Sequence, residues 1–243
     1  MKLLVPALLL LALALPATAQ DTISTDRPDF TEATSTVGVH TLQAEFGFSR
    51  AIAGDDHVDT AGEGVIRYGL RPRFELRLGL PSRINVDGLD AGLGDMSVGV
   101  KWNAADFGDG GKFTLVSTLV LPTGQEDFTG EEVQPSFFAV ASLPLTDRLG
   151  IAGQTGAMFF KSDDAWDTNF MATTVLGLSL IDNLGAFAGI RMDVSEGQDA
   201  QFVSQIGLTY LISPDFQVDV HGGAGLTDAT PDQFFGFGLA YRR

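Results

Sequence analysis

The 243-residue chain contains no cysteine, and its 15 basic residues face 31 acidic ones, a formal net charge of −16. The missing thiols exclude a disulfide scaffold and any thiolate metal or nucleophile chemistry. The shortage of positive charge makes nucleic acid a poor partner, because phosphate binding depends on clustered Lys and Arg. Beyond residue 16 no stretch offers 18 apolar residues without a charge, which excludes a helical membrane span. Histidines are few, and His40, His57 and His221 have no metal-motif spacing. No Gly-x-Ser-x-Gly elbow is present. Gly108-Asp109-Gly110-Gly111-Lys112 lacks the spacing and the helix of a phosphate loop. No enzyme, resident metal or cofactor is expected. The acidic runs, with Asp163-Asp164 near Asp167 as the best cluster, could hold Ca²⁺ or Mg²⁺ or simply form a solvated rim.

What is present begins with an export signal. Met1-Lys2, the apolar run Leu3 to Pro16 and Ala17-Thr18-Ala19 are a charged start, a hydrophobic stretch and a small-residue cleavage site. Cleavage after residue 19 removes Lys2 and leaves 224 residues with a charge of −17. Residues 20–38 form a polar segment without sustained alternation, either a plug or a flexible periplasmic leader. Residues 39–243 are then the folded unit.

Helix signals are nearly absent there, and alternation of period two recurs between Gly, Asp, Asn and Pro clusters. From Arg73 to Leu80, Phe74, Leu76, Leu78 and Leu80 share one face. The pattern predicts twelve strands over 39–50, 62–70, 73–80, 93–103, 112–121, 134–143, 148–160, 168–180, 183–193, 199–211, 216–226 and 233–241. The fifth and sixth carry Val116, Val120, Phe138 and Val140 among their polar positions, which reads as a partly apolar lumen or a shifted register. Glycines within strands, such as Gly47, Gly69, Gly236 and Gly238, are read as easing curvature and close backbone approach.

Connections after even strands are mostly short, as at Arg71-Pro72 and Ile181-Asp182, and those after odd strands tend to be longer and acidic. The six outer connections (51–60, 81–92, 122–133, 161–168, 194–198, 227–232) hold 15 acidic residues and two basic ones, Arg83 and Lys161. Together these features predict an all-β, up-and-down antiparallel transmembrane β-barrel with short periplasmic turns and longer outer loops. Tyr68, Trp102, Tyr210 and Tyr241 lie near the ends of even strands with apolar-face parity, and so form a periplasmic-side aromatic girdle. The rival fold is a soluble β-sandwich with the same alternation turned inward.

Glu45, Arg67, Arg73, Glu75, Arg77, Asp95, Lys101, Arg191, Asp193 and Asp219 share polar-face parity and are the lumen candidates. They would either set solute selectivity or pair with one another to fill the barrel. The partners implied are outer-membrane lipid, the barrel-assembly machinery and an unidentified small-molecule solute, in the outer membrane of a Gram-negative bacterium. A passive channel and a structural or adhesive envelope barrel are the two functional readings.

Thr25-Asp26-Arg27-Pro28-Asp29-Phe30-Thr31-Glu32, followed by Gln43-Ala44-Glu45, resembles the phenol-degradation meta-pathway family of outer-membrane transporter-like proteins. Tyr68-Gly69-Leu70, Arg73-Phe74-Glu75-Leu76-Arg77, Gly92-Leu93-Gly94-Asp95, Lys101-Trp102 and Leu121-Pro122-Thr123-Gly124 extend the likeness over nearly all of the mature chain. The resemblance implies an outer-membrane β-barrel and makes hydrophobic or aromatic compounds candidate solutes. One departure is that Tyr241 is followed by Arg242-Arg243, whereas such barrels often end on an aromatic residue.

Overall fold

The computed structural model describes residues 22–130, 132–162 and 165–243. Residues 1–21, which include the expected signal sequence, and Glu131, Asp163 and Asp164 lie outside the described residues.

Among the described residues, fifteen strands form one antiparallel sheet that closes on itself. They are β1 (Leu42–Ala53), β2 (Asp56–Ala61), β3 (Gly64–Arg71), β4 (Phe74–Leu80), β5 (Arg83–Val86), β6 (Gly92–Leu93), β7 (Met96–Phe107), β8 (Gly111–Leu121), β9 (Gln134–Pro144), β10 (Leu149–Ser162), β11 (Ala165–Ile181), β12 (Leu184–Ser195), β13 (Gln201–Ser213), β14 (Phe216–Gly225) and β15 (Gln233–Arg242). β2 with β3, β4 with β5, and β6 with β7 are interrupted parts of single staves, so the barrel has twelve. Pairing of β15 with β1, from Gln43 opposite Arg242 to Ile52 opposite Gln233, seals the cylinder. Among the described residues, each of the twelve staves then has a neighbour on both sides, which is the condition for a sheet in hydrocarbon. Arg242 belongs to this seam, and Arg243 exchanges backbone hydrogen bonds with Leu42 at 2.7 and 2.8 Å. The two residues after Tyr241 thus help close the barrel.

Polarity is reversed relative to a soluble protein. Glu45, Arg67, Glu75 and Lys101 are 0 % exposed, whereas Ile206 is 66 % and Phe237 57 % exposed. A sandwich would bury the second set and expose the first, so the rival fold is excluded. The apolar faces point outward around the whole ring, as a bilayer-spanning barrel requires. Trp102, Tyr210 and Tyr241 stand on this outer surface toward the short turns, with Tyr68 half-buried beside them. The Tyr68 hydroxyl meets His40 Nδ1 at 2.9 Å.

Three outer connections differ from expectation, among them 81–92, where Arg83–Val86 forms β5 against β2. Residues 51–61 form a hairpin extension of β1 and β2 rather than an open loop. Strands β10 and β11 likewise pair as far out as Ser162 with Ala165. Their acidic side chains suggested loops because a strand that rises above the hydrocarbon no longer needs an apolar face. Between β8 and β9, Glu126–Phe128 forms a short 3-10 turn. The register of β8 and β9 is not shifted. Val116 stands opposite both Lys101 and Phe138, so the apolar positions there line the interior.

Ile206 sits midway along β13, facing outward. Ile206→Arg is expected to lower folding stability in phospholipid vesicles by about 2–4 kcal/mol, the cost of a cation at bilayer mid-depth. Denaturant titration of vesicle-embedded protein measures this, and an unchanged midpoint would mean that β13 does not face hydrocarbon.

Candidate functional site

The barrel interior is occupied by the chain's own N-terminal segment. Residues 22–38 carry too many polar groups for a strand beside lipid, and their backbone needs partners that the barrel wall supplies. Ile23 N–H donates to the Pro214 carbonyl at 2.7 Å. The amides of Asp26 and Arg27 donate to Glu45, and the Val37 amide donates to Glu75 at 2.8 Å. Gln205 donates to the Pro28 carbonyl, Gln154 accepts from the Glu32 amide, and Thr114 donates to the Thr34 carbonyl. Side-chain hydroxyls join Thr31 to Thr173 and Thr34 to Ser142, each at 2.7 Å. These partners belong to β1, β4, β8, β9, β10, β11 and β13, so the segment touches wall on all sides.

Glycine makes this fit possible in two places. A side chain at Gly69 would collide with the Gly38 and Val37 carbonyls, where the segment leaves the lumen. A side chain at Gly47 or Gly238 would collide with the Arg27 guanidinium.

Charge organises the centre. Arg67, Arg77 and Lys101 project from β3, β4 and β7. Arg67 is paired by wall carboxylates, Glu45 and Glu75, both at 2.8 Å. Lys101 is different: its two carboxylate partners are Asp26 at 2.5 Å and Glu32 at 3.1 Å, both from the segment. Asp26 also meets Arg77 at 2.6 Å and Arg67 at 3.4 Å. On the neighbouring wall the sign inverts. Glu63 and Asp219 face Arg27 of the segment at 3.1 and 3.6 Å, and His221 Nδ1 lies 3.8 Å from Asp219. The segment therefore offers carboxylates to the cationic wall and a guanidinium to the anionic one. The wall of β8 to β11 is more apolar and presents buried Val116, Val140, Met171 and Val175.

Of the ten lumen candidates, five are brought together here: Glu45, Arg67, Glu75, Arg77 and Lys101. Asp219 joins through Arg27. Arg191 and Asp193 pair with each other nearer the outer loops, at 2.6 and 2.8 Å. Asp95 lies outside the lumen cluster, because its carboxylate accepts from Thr123, Gly124, Thr129 and Gly130 and folds the 122–130 connection. Burial would raise the Asp95 pKa, but these four donors outweigh it and hold the carboxyl below its usual value. Arg73 is a correction: it occupies a positive-φ turn position, half exposed, and pairs with Asp106 near the end of β7. Its parity matched the polar face, but the turn aims it away from the lumen. Asp26, Arg27 and Glu32, quoted above only within the family-like motif, and Glu63 are not among the lumen candidates. Among the described residues, no three His, Asp or Glu side chains gather to hold a metal ion.

The family model described as "Putative MetA-pathway of phenol degradation" matches residues 25–242. The chain belongs to this family. The comparison with curated proteins gave no match. Among solved structures, an outer-membrane channel from Pseudomonas putida F1 is similar at TM-score 0.66 and 15 % identity, over 89 % of this chain and 98 % of that one. The NanC porin is similar at TM-score 0.59 and 8 % identity, and the KdgM porin at 0.57 and 12 %, each over 82 % of this chain and 98 % of its own. At these identities the likeness is one of fold: a transmembrane β-barrel of the outer-membrane type.

Two outcomes follow. Asp26→Asn leaves Lys101 in the interior with one carboxylate fewer, and breaking such a buried pair costs about 3–5 kcal/mol. Hydrogen exchange at the Val37 and Glu32 amides should accelerate markedly, and adding Lys101→Met should restore much of the protection. Protection unchanged in Asp26→Asn would contradict the pairing. The second concerns Asp95. A carboxyl depressed in the folded state stabilises its loop in full above its unfolded pKa of about 4 and loses that contribution as pH falls through the folded value. Exchange at the Gly124 and Gly130 amides, corrected for the intrinsic rate, should therefore rise only below about pH 4. A loss between pH 5 and 7 would contradict this.

Proposed function

We propose that the protein is an outer-membrane channel for passive passage of small molecules and that its N-terminal segment is a removable plug. The observation that carries this reading is the division of charge between the segment and the wall. Every hydrogen bond and ion pair that holds the segment is non-covalent and polar, so water can replace each one when it withdraws. The fold and the likeness to outer-membrane channels and porins support a place in the outer membrane of a Gram-negative bacterium. Its partners are then bilayer lipid, the barrel-assembly machinery and a diffusing solute, and the family description makes hydrophobic or aromatic compounds the first solutes to try. A second reading, an inert envelope barrel with an acidic rim, draws on the same filled lumen. The rim is partly ordered by pairs such as Arg50–Asp59 at 2.5 Å.

Planar-bilayer recording separates the two. The full chain should show small, intermittent conductance, and a variant lacking residues 22–38 should show larger and steadier steps. Asp26→Ala/Arg27→Ala, which keeps the chain length, should move conductance in the same direction. Silence from both variants, inserted and folded, would leave the scaffold reading standing and sink the channel.

A further inference from the structure

On the outer-loop side of the segment lies a cavity of about 370 Å³ inside the barrel. Its floor is Phe30 of the N-terminal segment, and Phe234 of β15 stands beside it with ring centroids 5.8 Å apart. Facing these rings is a polar group from β11 and β12. Arg191 makes a two-point pair with Asp193, Asn169 donates to the same carboxylate at 3.0 Å, and Ser195 donates to Asn169 at 3.3 Å. The Arg191 guanidinium also lies 5.7 Å from the Phe30 ring centroid.

We infer that this vestibule is a binding site for a neutral molecule with one aromatic ring and a polar group that both donates and accepts hydrogen bonds. The assignment names a solute class for the channel proposed above and in that sense rests on it. Three features carry it. The volume exceeds the roughly 150 Å³ that holds benzene in a dry cavity, which leaves room for a head group. Two phenyl rings offer the edge and face contacts that a third ring prefers. The head-group wall is an ion pair and is therefore electrically neutral, with guanidinium N–H groups beyond the two that Asp193 takes and with about one carboxylate lone pair still available. A charged head would meet one half of that pair favourably and be repelled by the other, whereas a neutral amide or hydroxyl can use both. Because Phe30 belongs to the segment, the occupant of this site rests directly on the plug.

Benzamide, benzoate and benzamidinium share one shape and differ in charge and in donor–acceptor balance, so they test the inference as a set. Full-length protein in nanodiscs, with empty nanodiscs as the baseline, is titrated with each by saturation-transfer NMR. Benzamide should bind about tenfold more tightly than either ion, the factor expected when one hydrogen bond to a charged group is lost. Phe234→Ala should weaken all three. Asp193→Asn leaves Arg191 uncompensated and should move the preference to benzoate, and Arg191→Gln should move it to benzamidinium. Equal binding of the three probes to the unaltered protein, or a ranking untouched by both wall variants, overturns the inference. Ring-selective binding in a barrel with no conductance would support the site while ending the channel reading, and conductance without such binding would do the reverse.

Discussion

Lys101 is fully buried inside the barrel, and the carboxylates that pair with it belong to a segment some seventy residues earlier in the chain. The desolvation of an ammonium group is large enough that the pair must be made well or not at all. That requirement ties the N-terminal segment to β7, and through Asp26 to Arg67 and Arg77 on β3 and β4. Arg27 meets the reciprocal need of Glu63 and Asp219. The interior of this barrel is thus completed by a piece of chain that forms no strand of the wall.

Much of the remaining architecture serves that arrangement. Gly47 and Gly238 leave the space that the Arg27 guanidinium occupies, and Gly69 lets the segment cross the wall closely as it turns into β1. The seam between β15 and β1 closes the cylinder around it. Polar side chains on β8, β9, β10, β11 and β13 satisfy the segment's backbone, while Val116 and Val140 give it a less polar side to rest on. The outward faces carry a separate task, contact with lipid, and the two tasks are kept apart by the pleat of each strand.

Period-two alternation made the twelve staves legible because every strand separates two media along its whole length. It failed at 51–61, 83–86 and 161–168, where the strands rise beyond the hydrocarbon and read as loop. Parity identified Glu45, Arg67, Glu75, Arg77 and Lys101 as inward. It misplaced Arg73, since parity does not see a turn that redirects a side chain. The ten lumen candidates are neutral as a set, so nothing in their sum announced a missing partner. Only their positions reveal it: Arg191 and Asp193 satisfy each other, Arg73 and Asp95 lie elsewhere, and what remains is a cationic wall beside an anionic one. The roles of Asp26, Arg27 and Glu32 depend on contacts across up to about 190 residues of sequence, such as Arg27 with Asp219, and local pattern carries no trace of such distances.

The absence of native cysteine allows a direct test of where the segment lies. Thr34 and Ser142 touch through their hydroxyls at 2.7 Å, so cysteines at these positions bring two thiols within reach of each other. In the Thr34→Cys/Ser142→Cys variant, mild oxidation of intact outer membranes should form an intramolecular disulfide in nearly every folded barrel, whereas pairing Thr34→Cys with a cysteine at outward-facing Leu143 should give none. Free thiols at both positions in the folded, membrane-inserted protein would place residues 22–38 outside the lumen and contradict the account.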